Sequence, residues 1–121
     1  MSELANLQSP VRFELKSNTP VDVLATTGND YQFGMAINKG NALHILIDAQ
    51  IVTADMTAKW YRRVTNLATE AWSLFHTATV TAGSVFSDDR NDVEGYFAVR
   101  VTVERTTGAD QTFSVSASVT H

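Results

Sequence analysis

Three histidines, one acidic stretch and a set of aromatics are the side chains here whose types could do chemistry. His44, His76 and His121 lie far apart, and no H-x-H or H-E-x-x-H spacing occurs. A zinc site usually shows such spacing on one element, so a histidine site would have to be assembled by folding alone. Lone strand histidines are more often packing or surface residues. Serines are numerous, but GSVFS is not the G-x-S-x-G elbow and lacks the strand-then-helix setting that the elbow requires. With no cysteine, thiol nucleophiles, disulfides and thiolate metal centres are excluded. The glycines of GND, NKGN and TTGAD sit among turn residues and do not form a phosphate cradle. The sequence therefore assigns no catalytic residue, no cofactor-binding residue and no metal ligand set. A non-enzymatic protein without a cofactor is expected.

Two constellations remain. SDDRNDVEG carries Asp88, Asp89, Asn91, Asp92 and Glu94, hard oxygen donors of the kind calcium takes. Their spacing does not match D-x-[DN]-x-[DN]-G, and Arg90 adds a positive charge among them, so a solvated loop is expected over Asp88–Glu94. The aromatics Tyr31, Trp60, Tyr61, Trp72, Phe75 and Tyr96 could build a sugar-stacking platform, although most aromatics in a β-protein pack the core. If Trp60 and Tyr61 share a strand they point to opposite faces, and at least one meets water or a partner, carbohydrate or protein. Arg62 and Arg63 divide in the same way and suit ion pairs at an interface.

The elements that must position these residues are strands. VRFELK sets Val11, Phe13 and Leu15 against Arg12, Glu14 and Lys16, the period of two of a half-buried strand. VDVLATT and YQFGMAI repeat the pattern between turn-like SNTP, TGND and NKGN. ALHILIDAQIVTA is the longest apolar run, and its β-branched content favours a strand. ADMTAKWYRRVTNLATEAW admits a short helix capped by Asp55, but a strand through WYRR is favoured. AWSLFHTATVTAG places Trp72, Leu74, His76, Ala78 and Val80 on one parity, and GSVFSDDRNDVEG is expected to be a loop. YFAVRVTVER and QTFSVSASVT complete the set, joined through TTGAD as a hairpin. In that hairpin Phe97, Val99, Val101 and Val103 match Phe113, Val115, Ala117 and Val119, while Arg100, Thr102, Glu104, Ser114, Ser116 and Ser118 face away.

About eight short strands with little helix predict an all-β antiparallel β-sandwich, jelly-roll or immunoglobulin-like, over residues 10–121. Residues 1–9 read as an N-terminal arm or edge segment in which Leu4 and Leu7 could dock on a neighbour. Within 121 residues, 44 % hydrophobic and 18 % charged content is that of one ordinary globular domain. The formal charge of −4 and the scattered basic residues argue against a nucleic-acid partner. MSELANLQSP shows no secretion or lipidation signal and no segment reads as a membrane span, so a chain made in the cytosol is expected, reaching the outside only with a released particle.

The aromatic–arginine strand WYRR, the Thr/Val-rich TATVTAG, the acidic stretch after it and the closing VRVTVERTTGADQTFSVSASV follow one another in an order that resembles the β-sandwich modules of tailed-bacteriophage virion proteins, those of capsid decoration, head fibres and tail fibres. The resemblance spans roughly the last two-thirds of the chain. Where those modules often carry a tryptophan in the closing strand, this chain has Phe113. It implies a structural protein of a virion, acting through subunit contacts as a homo-oligomer, with a trimer favoured, and contacting other virion proteins. A carbohydrate- or receptor-binding sandwich is the alternative.

Overall fold

The computed structural model describes residues 10–16, 19–24, 42–65, 67, 69–91, 98–105 and 110–120, and within them the chain is all β. Eight strands follow in order: β1 (Val11–Leu15), β2 (Val21–Asp22), β3 (Ala42–Ala49), β4 (Met56–Arg63), β5 (Ser73–Val80), β6 (Ser84–Arg90), β7 (Ala98–Arg105) and β8 (Gln111–Thr120). They form two four-stranded antiparallel sheets, β1-β8-β3-β6 and β2-β7-β4-β5. The nesting of β1 with β8, β2 with β7, β3 with β6 and β4 with β5 is that of one long hairpin rolled up on itself. Between the two sandwich types expected from sequence, this order is the jelly roll's.

The inner faces follow from simple alternation. Leu43, Ile45, Ile47 and Ala49 of β3, Met56, Ala58 and Trp60 of β4, Val99, Val101 and Val103 of β7, and Phe113, Val115 and Ala117 of β8 are buried in one cluster between the sheets. Leu15 closes it from β1, and Val23 and Leu24 close it just beyond β2. Phe13 stacks on Phe113 at 5.7 Å between ring centroids. The favoured strand through WYRR is β4, and Asp55 caps no helix. Its Oδ1 instead accepts a hydrogen bond from the Ala82 amide at 2.9 Å, tying the start of β4 to the turn after β5. Among the described residues, no helix is long and apolar enough to cross a membrane.

Three expectations are corrected. The segment expected as a loop forms β6 over Ser84–Arg90, paired with β3 from Leu43↔Arg90 to Ala49↔Ser84. β7 and β8 form no hairpin: β7 lies between β2 and β4 in one sheet, and β8 between β1 and β3 in the other. The described members of their apolar columns, Val99, Val101 and Val103 against Phe113, Val115 and Ala117, meet across the sandwich and not side by side. Finally, β5 does not keep one parity. Trp60 pairs with His76 but Tyr61 pairs with Leu74, so Phe75 is an extra residue, a β-bulge. Ala78 and Val80 stay inward, while Leu74 turns out and is 51 % exposed. The proposed strand over 31–37 and the arm over 1–9 lie outside the described residues.

Candidate functional site

On β4, Trp60 points inward and is fully buried, so Tyr61 points outward. Alternation sends Arg63 out with Tyr61, and the register places Arg100 of β7 opposite Tyr61 and Thr102 opposite Lys59. Asp22 of β2 lies opposite Thr102 on the other side of β7. The bulge at Phe75 brings Trp72 onto this same outer face. There the Arg100 guanidinium carbon sits 4.4 Å from the Trp72 ring centroid, and that of Arg63 sits 5.4 Å away. Arg100 Nε is 3.2 Å from Asp22 Oδ2, and Asp22 Oδ1 accepts a hydrogen bond from the Leu24 amide at 3.1 Å. Pro20, Asp22, Tyr61, Trp72, Arg100 and Thr102 line an open depression of about 550 Å³.

The arrangement is built from several elements at once. Trp72 orients Arg100 by a cation–π contact, and Asp22 holds the guanidinium from the side. The loop that delivers Trp72 is fixed by Glu70, whose carboxylate accepts from the Val64 amide at 2.9 Å, the Thr65 amide at 2.8 Å and the Thr65 hydroxyl at 2.6 Å. These bonds, the Thr65 hydroxyl first, hold the Glu70 carboxyl below its ordinary pKa, and the nearby Arg63 charge adds to them. Arg63 Nη2 donates to the Leu67 carbonyl at 2.8 Å across the same loop. Thr102 Oγ1 and Arg100 Nε are buried without a hydrogen-bond partner among the described residues, although Arg100 Nε is close enough to Asp22 for an ion pair.

The remaining candidates from sequence are dispersed. Asp88 and Asp89 point to opposite faces of β6, which breaks up the suggested calcium set, and Asp92 and Glu94 lie outside the described residues. Among the described residues, no three His, Cys, Asp or Glu side chains come together as a metal site requires. Asp88 turns between the sheets, 3.5 Å from Arg90 Nη1 and 3.9 Å from His76 Nε2. The His76 ring packs edge-on against Trp60 with centroids 4.8 Å apart. His44 and Asp89 meet at 2.7 Å on the outer face of the other sheet, beside Leu46, Ser116 and Ser118. Tyr31, Tyr96 and His121 lie outside the described residues. Sequence reasoning singled out Tyr61, Trp72 and Arg63 as candidates but missed Asp22 as a member. It also placed Trp72 on one parity with His76, which the register shift in β5 breaks, and put Arg100 on the outward face of a hairpin that does not form.

No protein-family model matches the chain, and no curated protein matches it by sequence. Solved structures match its fold. The Yersinia pseudotuberculosis-derived mitogen superposes with a TM-score of 0.56 at 12 % identity, over 95 % of this chain and 86 % of the mitogen. PirA superposes with a TM-score of 0.56 at 10 % identity, over 89 % of this chain and 92 % of PirA. At such identities the likeness concerns the fold alone: this chain is an all-β sandwich similar in architecture to both.

Proposed function

We propose that this chain is a non-enzymatic recognition domain that binds carbohydrate in the depression around Tyr61 and Trp72. One observation carries the reading. Two large aromatics leave the core for the outer face of the β2-β7-β4-β5 sheet, where they are ringed by Arg100, Asp22 and Thr102. The solvent face of an antiparallel sheet is ordinarily polar. Aromatic surface beside fixed donors and acceptors is what a sugar requires, with its apolar ring faces and its rim of hydroxyls.

A glycan array followed by titration of a hit, read by tryptophan fluorescence, tests this. Trp60 is buried, so a ligand-dependent signal is expected to come from Trp72. Trp72→Ala and Tyr61→Ala are each expected to weaken binding by about tenfold or more. A folded protein that binds nothing on a broad array overturns the proposal.

The second reading is a structural component of a bacteriophage particle. It draws on the outer face of the β1-β8-β3-β6 sheet, where Leu46 and Val85 are 41 % and 46 % exposed beside a row of serines, as a subunit contact would have them. Light scattering after size-exclusion chromatography separates the two readings: a trimer that Leu46→Asp dissociates supports this one, and a monomer removes it.

A further inference from the structure

The site has a charge as well as a shape. The chain carries a formal charge of −4, yet two guanidinium groups, Arg63 and Arg100, converge on one indole, Arg100 beside Asp22 and Arg63 near the Glu70 carboxylate. Arg100 is held in one orientation by Trp72 and Asp22, and a guanidinium fixed in that way offers an anion a preformed charged partner. Resting on the carbohydrate reading of the same depression, we infer that the ligand is an acidic glycan whose sugar carboxylate docks on Arg100 while its ring lies against Tyr61.

The geometry of Arg100 selects the group. Its Nε faces Asp22 and is buried, and Trp72 fixes the plane of the guanidinium from 4.4 Å. The terminal nitrogens Nη1 and Nη2 then form the end of a fork whose spacing matches the two oxygens of a carboxylate. A neutral sugar leaves those donors with water. A carboxylate gives them two parallel charge-assisted bonds, with the fork already oriented by its neighbours. Asp22 serves a second purpose. Its negative charge opposes an anion that settles too deep, and its oxygens can accept from sugar hydroxyls at the rim.

The experiment is a set of isothermal titrations with matched oligosaccharides: a uronic- or sialic-acid-terminated glycan, the same glycan with its carboxylate converted to an amide, a neutral parent and a sulfated counterpart. The acidic form is expected to bind about tenfold tighter than its amide, with the difference shrinking as salt rises. Arg100→Gln is expected to abolish the preference, so that acid and amide bind alike. Arg100→Lys, which keeps the charge and loses the fork, is expected to recover only part of it. Thermal unfolding of each variant shows that it is folded.

Equal affinity for acid, amide and neutral parent overturns this inference and leaves the carbohydrate reading standing. Binding to none of the four overturns both. Preference for the sulfated form over the carboxylate overturns the assignment of the carboxylate fork.

Discussion

At the scale of single residues, neighbours in sequence have opposite fates. Trp60 and Tyr61 had to face opposite ways once a strand ran through them, and that much was legible. Which one entered the core was decided by the register with β7, where Trp60 lies opposite Val101, itself fully buried. Glu70 gave no signal in sequence because its role is local. A single carboxylate accepts two amides and a hydroxyl in the loop between β4 and β5, and so sets the path to Trp72. Its folded pKa is lowered. The stabilisation from this carboxylate is therefore complete above the ordinary glutamate pKa and is lost as pH falls through the lowered folded value. Glu70→Gln is accordingly expected to melt below the wild type at neutral pH, and the gap is expected to narrow as the buffer is taken below the ordinary glutamate range. A gap independent of pH would show that the charge of Glu70 does not hold the loop.

At the scale of elements, β6 was misread for a physical reason. A half-buried strand is recognised by apolar residues at alternate positions. In β6 the inward positions after Phe86 are Asp88 and Arg90, which pair with each other. The strand lies at the edge of its sheet, where an inward charge discourages edge-to-edge association. The Asp that serves this purpose, and the Ser residues beside it, are also turn formers. The bulge at Phe75 was equally hidden, since nothing in SLFHTATV marks the extra residue, and it is the bulge that sends Trp72 to the candidate site. The connection from β5 to β6 was better marked. Gly83 has φ +78°, in the left-handed region, and its amide donates to the Ala49 carbonyl at 2.9 Å. A Cβ there would meet open space, so substitution strains only the backbone. Gly83→Ala is expected to lower stability by about 1 kcal/mol in urea denaturation, and Gly83→Asn by less, because asparagine tolerates this conformation. An alanine variant as stable as the wild type would contradict the backbone argument.

At the scale of the whole molecule, the class of fold was legible and the order of strands was not. The apolar columns of β7 and β8 look the same whether the strands are neighbours in one sheet or face each other from two. The short link between them does not decide the matter either, because five extended residues span about 16 Å and packed sheets stand about 10 Å apart. The structure places the two strands in separate sheets, and Arg105, the last residue of β7, pairs with Asp110, the last residue of the link, at 3.1 Å. This topology has a kinetic consequence. β1 pairs with β8 from Val11↔Val115 to Leu15↔Gln111, and β2 pairs with β7, so strands far apart in sequence must meet before either sheet is complete. Loop closure over such separations is slow. Because one core cluster joins both sheets, the domain is expected to unfold cooperatively, with tryptophan fluorescence and far-ultraviolet circular dichroism giving coincident transitions. Refolding after stopped-flow dilution from urea is expected on the scale of milliseconds to seconds. A microsecond phase that recovered the full native fluorescence of Trp60 would mean that the core forms from local contacts, which β4 cannot supply from β5 alone, because its other neighbour is β7.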